Sequence, residues 1–276
     1  MDTLNGILTA LVDGLLAPFA ERPATGLVLW SVVTGVGMAY VIGKTSNQRA
    51  LRRAADNIRA QLFAIKLFKD DLVVTLHCQM ALLKSTGARL LHSLPPMLVM
   101  AFPLLMILAQ LAMRFEHRPL LPGERAVVAM RVKPDHWKEV REVSLNAGER
   151  FEVETGGLRD ERDFTIYWRV RAVGVESESL QWRIGDETIE KLLPMAASRD
   201  RLLTSNPKRS GITIADQLLY PAERSLASSS PIESIDIQLM PRETLVFGWN
   251  VPWWATFFVV SMVVTFTAGK WMGVQF

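Results

Sequence analysis

Three stretches of this chain, residues 26–43, 94–113 and 252–269, contain no Asp, Glu, Lys or Arg. With their flanks each approaches the roughly 20 residues needed to cross about 30 Å of hydrocarbon while every backbone polar group is bonded internally. Hydrophobic residues make up 49% of the chain and aromatics 8%, yet the mean hydropathy is only +0.17, so the apolar residues are gathered into a few segments. That distribution predicts spanning helices joined to a water-exposed domain. Trp249, Trp253 and Trp254 cluster where the third stretch begins, as indoles do at the boundary of headgroups and hydrocarbon.

Charge sets the expected orientation. Between the first two stretches lie Lys44, Arg49, Arg52, Arg53, Arg59, Lys66, Lys69, Lys84 and Arg89 against Asp56, Asp70 and Asp71. Because Lys and Arg are retained on the cytoplasmic side, residues 44–93 are predicted to be cytoplasmic. The amino terminus and residues 114–250 then lie outside, and Lys270 returns the tail 271–276 to the cytoplasm of a bacterial-type inner membrane. No Lys or Arg precedes Arg22, so the start lacks the positive leading region of a cleaved signal, and the first span is expected to stay in the mature protein.

In residues 1–23, Leu4, Ile7, Leu8, Leu11, Val12, Leu15, Leu16 and Phe19 recur at spacings of three and four, predicting an amphipathic helix in the membrane interface. Packing against protein is the alternative for the same stripe. Residues 24–43, 94–113 and 251–270 form the three spans. The segment between the first two reads as a helical hairpin, with Leu51, Ala54, Ala55, Ile58, Leu62 and Ile65 on one arm and Val73, Leu76, Met80, Leu83 and Leu90 on the other. Lys69, Asp70 and Asp71 mark its reversal. At about 1.5 Å per residue each arm is roughly 30 Å long.

After residue 114 the periodicity changes to alternation, at 126–132, 151–154, 164–173 and 180–184, which predicts strands. Turns are expected at 146–148, at Gly156 with Gly157, and at Gly185 with Asp186, with a closing strand pair over 235–247. Residues 199–230 read as a long loop with a short helix near 214–219. The fold class is an α-helical membrane protein with three transmembrane helices and a cytoplasmic helical hairpin, plus an extracytoplasmic antiparallel β-sandwich-like domain.

From Ile58 to Leu111 the chain resembles the YidC family of membrane protein insertases. The matching residues are Lys66, Phe68, Lys69, Asp70 and Asp71 at the reversal, then Gln79, Leu82, Leu83 and Lys84, then Gly87, then Pro95 or Pro96 and Pro103. The interfacial helix, the basic hairpin and the return span follow the family's order, and a third span after a break resembles its three-span members. The resemblance implies assistance to the insertion or assembly of client membrane proteins. It also implies a polar groove within the membrane, whose candidates here are Ser31, Thr34, Gln110, Ser261 and Thr265. The candidate hairpin contacts to nascent membrane proteins, ribosome or anionic headgroups are Arg52, Arg53, Lys66, Lys69, Lys84 and Arg89. The family's bacterial members carry a positive residue within the membrane, whereas no span interior here holds Lys or Arg; Lys44, Arg89 and Lys270 stand at the cytoplasmic ends.

Each of these residues also has a plainer reading. Gln110 lines a groove or bonds a neighbouring helix. The basic residues of the hairpin contact a partner or only set topology. Cys78 is the single cysteine, which excludes an internal disulfide, and it is expected to be buried between helices. The four histidines, His77, His92, His117 and His136, are divided between the two sides of the membrane. Neither a nucleophile elbow nor a phosphate-cradling loop is present in the sequence, so catalysis is not expected, and Asp135 and His136 read as an exposed turn. No cofactor, metal or specific nucleic-acid site is predicted at a net charge of +3. The partner in either case is the lipid bilayer. The second functional reading is a membrane-anchored interaction or scaffold protein whose outer β domain binds an envelope partner. A channel would require oligomers and a charged ring, and the spans contain no such residues.

Overall fold

The computed structural model describes residues 2–68, 71–140, 143–185, 187–211, 216, 220, 223–246 and 248–274. The described residues form five long helices, α1 (Asp2–Leu16), α2 (Pro23–Thr45), α3 (Gln48–Leu67), α4 (Leu72–Phe115) and α5 (Trp253–Trp271), and their strands lie between α4 and α5. Three helices, over Pro23–Thr45, Val73–Phe115 and Trp253–Trp271, are long and apolar enough to cross a membrane. The chain divides into two compact units, Leu27–Leu105 with Trp254–Phe276, and Met1–Gly26 with Met106–Trp253.

In the helical unit, α2 opens on Pro23, whose fixed φ suits a first helical position, and meets its first charge at Lys44 in the last turn. The buried side chains of α5 are Thr256, Phe257, Ser261, Thr265 and Gly269, four of which recur every fourth residue on one face. Three members of this row, Ser261, Thr265 and Gly269, are small, which lets helix backbones approach closely. Gly35 of α2 shows the closeness: a Cβ there would stand 2.7 Å from the Ser261 carbonyl oxygen and 2.9 Å from Val264 Cβ. Helix α3 begins under an Asn47 cap that accepts from the Ala50 amide at 3.1 Å, and buries Leu51 and Ala54.

At the start of α4, Asp71 Oδ1 accepts from the amides of Val73 and Val74 at 3.0 and 3.2 Å, which satisfies amides that a helix end leaves free. Of the reversal predicted at Lys69, Asp70 and Asp71, the first two residues lie outside the described ones. The sequence places a boundary at residue 94. The structure instead has one helix of 44 residues, with Pro95, Pro96 and Pro103 all inside it. A proline removes one helical hydrogen bond, and a long helix continues through it where local adjustment and packed neighbours satisfy the freed backbone groups.

The second unit holds two antiparallel sheets around one core. Strands β1 (Arg125–Val132), β3 (Phe151–Asp160), β4 (Thr165–Ala172), β7 (Lys208–Ser210) and β8 (Ile232–Ile237) form a sheet in the order β3-β4-β1-β8-β7. Strands β2 (Ser144–Asn146), β5 (Glu178–Ile184) and β6 (Glu187–Leu193) form another, in the order β2-β5-β6. Period-two alternation turns Ala126, Val128, Met130 and Val132 of β1, and Ile166, Trp168, Val170 and Ala172 of β4, into the core. They meet Leu180, Trp182 and Ile184 of the second sheet, and the rings of Trp168 and Trp182 approach edge to face with centroids 6.0 Å apart. A sandwich-like packing of antiparallel sheets is therefore observed.

Three local expectations are corrected. Gly156 and Gly157 do not turn the chain; they sit inside β3, where the register against β4 shifts between Val153 and Thr155 and again between Thr155 and Leu158. Glycine in a strand interior commonly marks such a bulge. Residues 235–247 do not pair with one another: β8 pairs with β1 and β7, and a separate small hairpin joins β9 (Leu245–Val246) to β10 (Trp249–Asn250). Strand β6, with Lys191 at an inward position, lies in a segment for which the sequence predicts no element, and strand β7 lies in the segment read as a loop. Asp186, Phe247 and, apart from Asp216, the short helix expected over 214–219 lie outside the described residues.

Candidate functional sites

The helical unit contains a groove of about 490 Å³ built by α2, α3, α4 and α5. Met38 and Ile42 come from α2, Leu51 from α3, Pro96, Met97, Met100, Ala101 and Leu104 from α4, and Phe266 from α5. Ser46 and Ser93 are the only hydroxyl-bearing residues in this lining. Ser93 Oγ donates to the Leu90 carbonyl at 2.7 Å, which leaves a nearly wholly apolar surface. Methionine adapts to irregular apolar shapes through three rotatable bonds and a polarisable sulfur, so a surface of this kind suits varied apolar occupants.

The polar groove predicted from Ser31, Thr34, Gln110, Ser261 and Thr265 takes a different form. Ser31, Thr34, Ser261 and Thr265 are buried in the helical unit. Ser31 donates to the Leu27 carbonyl at 2.7 Å, Ser261 to Phe258 at 3.2 Å, and Thr265 to Ser261 at 2.7 Å and Gly35 at 3.0 Å. These hydroxyls satisfy helix carbonyls and join α2 to α5. Gln110 belongs to the other unit.

There Gln110 is part of a buried network. Its Nε2 donates to Thr9 Oγ1 at 3.1 Å, and one turn further along α4 stands Arg114, with 2% of its side chain exposed. Arg114 Nε and Nη2 donate to Asp13 Oδ1 at 2.9 and 2.5 Å, Nη1 to the Gln110 carbonyl and Oε1 at 2.6 and 3.0 Å, and Nη2 to the Thr9 carbonyl at 3.2 Å. Thr204 Oγ1 adds a third donor to Asp13 Oδ1 at 2.9 Å. The sequence reading missed this arginine by ending the span at residue 113. The signal was available, because Gln110 and Arg114 are four apart and so share a helix face. Along the apolar stripe of α1, Val12 and Leu16 are buried, while Ile7, Leu11 and Leu15 are exposed.

Of the predicted hairpin contacts, Arg53, Lys66 and Lys84 are exposed and Arg89 is half-buried, while Lys69 lies outside the described residues. Arg52 Nη2 donates to the Gly273 carbonyl at 3.0 Å, tying α3 to the chain just past α5. Beside these charges, Leu62, Phe63, Leu67, Phe68, Val73, Leu76, Met80 and Leu83 are all exposed. Cys78 is buried, as its hydrophobic character leads one to expect.

In the β unit, Lys191 is fully buried, with Nζ 2.6 Å from the Asn206 carbonyl and 2.9 Å from Glu223 Oε2. Burial pulls its pKa below the ordinary lysine value, while Glu223 opposes the shift. Arg118 forms a paired contact with Glu124 at 2.7 and 2.8 Å, and the hydrogen bond from Arg118 holds the Glu124 carboxyl below its usual range. Arg242 donates to the carbonyls of Arg199, Asp200 and Arg201, and burial lowers its pKa to about 10. His136 pairs with Glu139 at 2.8 Å on the surface, so Asp135 is not its partner. Among the described residues no group of three His, Cys, Asp or Glu is placed to hold a metal ion. No protein-family model, curated protein or solved structure matches this chain.

Proposed function

We propose that the chain is a three-span protein of a bacterial-type inner membrane, distantly related to the YidC insertases, that holds or inserts apolar segments of client membrane proteins. Residues 44–93 form its cytoplasmic hairpin and the β unit stands outside, by the distribution of Lys and Arg. The observation that carries the reading is the methionine-bearing groove formed by Met38, Met97, Met100 and Phe266. Its four helices include the three that are long enough to span, so the groove's occupant is a transmembrane segment, whose side chains match its apolar lining. The exposed apolar residues of the hairpin, Phe63, Leu67, Val73 and Met80 among them, favour the same client chemistry, and Lys66 and Lys84 beside them suit a nascent chain, ribosome or anionic headgroups.

No covalent chemistry enters this mechanism. A client helix exchanges lipid for a protein wall of equal polarity, so affinity is low and release is fast. The polar groove of the bacterial insertases has no counterpart in the hydroxyls of Ser31, Ser261 and Thr265, which bond helix carbonyls. That observation favours the second reading, in which the helices anchor the β unit to bind an envelope protein and no client enters the membrane groove.

Site-specific photocrosslinking from Met100 and Lys84 in growing cells separates the two. Crosslinks from Met100 to many short-lived nascent membrane proteins, abolished by Met97→Asp, are expected for the insertase or chaperone. One stable partner captured from the β unit, with Met100 crosslinking only to lipid, would replace that reading with the anchored scaffold.

A further inference from the structure

A second cavity lies wholly within the β unit and its attached helix ends. It has a volume of about 310 Å³ and is walled by Leu16, Ala17 and Ala20 on one side and Leu202 and Leu203 on the other, with Asp13, Arg114, Arg201 and Thr204 supplying the polar groups. The loop that closes it is held firmly: the Leu202 amide donates to the Ala20 carbonyl at 2.7 Å, and the Ser205 amide and hydroxyl donate to the Met113 carbonyl at 2.7 and 2.9 Å.

The charges in this cavity are unequally satisfied. Arg114 is saturated by Asp13, Gln110 and Thr9. Asp13 accepts all three of its donors on Oδ1, and half of its side chain is exposed, so Oδ2 is an open acceptor at the cavity wall. Arg201 is exposed, and its guanidinium makes no hydrogen bond or ion pair among the described residues. The cavity therefore offers one anionic acceptor, one cationic fork and an apolar wall between them. A ligand that satisfies all three carries a hydrogen-bonding ammonium, a phosphate and a hydrocarbon tail.

We infer that this cavity binds the headgroup of a phosphoethanolamine lipid, with the ammonium donating to Asp13 Oδ2 and the phosphate accepting from Arg201. The inference rests on the membrane reading above, which puts α1 and the end of α4 at the outer headgroup level. A choline headgroup cannot donate to Asp13, because its nitrogen carries no hydrogen. A glycerol headgroup offers only neutral hydroxyls, which donate more weakly to a carboxylate oxygen than an ammonium does.

The test uses the full chain in nanodiscs of equimolar phosphatidylethanolamine, phosphatidylcholine and phosphatidylglycerol with matched acyl chains, followed by native mass spectrometry of the retained lipid. One phosphatidylethanolamine is expected to be retained with about tenfold preference over phosphatidylcholine, the worth of roughly one charge-assisted hydrogen bond. The cavity-filling Leu203→Trp is expected to abolish that preference, whereas Arg201→Gln, which removes the partner of a phosphate common to all three lipids, is expected to lower retention of all three; both leave the Asp13–Arg114 contact in place. Equal retention of the three lipids, a preference unmoved by Leu203→Trp, or retention unmoved by Arg201→Gln overturns the inference while the membrane reading stands. Tight binding of soluble phosphoethanolamine to lipid-free protein in detergent would assign the cavity to a free ligand and overturn it as well. Failure of the chain to enter any nanodisc overturns the membrane reading itself.

Discussion

Arg114 and Asp13, which are 101 positions apart, meet through two hydrogen bonds at 2.9 and 2.5 Å, with the arginine side chain 2% exposed and the aspartate half exposed. The pair joins the first helix to the end of α4 through a charge that cannot be left alone. Asp13→Asn is expected to destabilise the unit by roughly 2–4 kcal/mol, since removing one partner of a buried pair leaves an uncompensated charge. The double variant Asp13→Leu with Arg114→Met is expected to recover most of that loss, because a well-packed apolar pair needs no desolvation. Chemical denaturation of the three proteins in detergent checks the ordering.

Gly35 gives a steric prediction in the helical unit. A methyl there meets the Ser261 carbonyl at 2.7 Å and Val264 at 2.9 Å, contacts that backbone movement alone can relieve. Gly35→Ala is expected to cost about 1–3 kcal/mol, and Gly35→Leu to separate α2 from α5. Disulfide trapping between cysteines placed at positions 34 and 265, in a Cys78→Ala background, reads the separation directly.

Lys191 and Glu223 differ in what each leaves behind. Glu223→Gln strands a fully buried ammonium and is expected to lower stability by about 3–5 kcal/mol, whereas Lys191→Met fills the same inward strand position with apolar atoms and should be the milder change. Thermal melting of both variants tests the asymmetry.

His117 sets a pH dependence. Burial pushes its pKa below the ordinary value of about 6.5, with Glu116 opposing, and its Nδ1 is buried without a hydrogen-bond partner. The unfolded chain then binds the proton more tightly than the folded one, so stability is complete above the unfolded value and falls as pH drops below about 6.5. Melting temperature is expected to decline between about pH 6.5 and 5, and His117→Gln to flatten that decline. A decline of equal size in the variant would assign the effect to other groups.

Much of the architecture is legible in composition and period. The apolar stretches lie in three long helices, and the alternation at 126–132, 164–173 and 180–184 corresponds to β1, β4 and β5. Strand β6 was hidden because Lys191 occupies an inward position that alternation assigns to an apolar residue. The site was less legible. Ser31, Ser261 and Thr265 read as groove lining because a hydroxyl's sequence position does not reveal its acceptor, and here the acceptors are helix carbonyls. Met38, Met97 and Met100 read as ordinary span residues, since an apolar side chain looks the same whether it faces lipid, a neighbour or a groove.

The sequence by itself determined which segments are helical and apolar, which alternate, and where the basic residues gather. Those properties follow from local periodicity and from the cost of placing charge in hydrocarbon, and both act on neighbouring residues along the chain. Tertiary structure alone decided that Asp13 meets Arg114, that Lys191 meets Glu223, and that methionines of α2 and α4 line one groove. Each of these depends on which faces of distant segments pack together, and that choice is settled by steric fit and by the requirement that every buried charge find a partner.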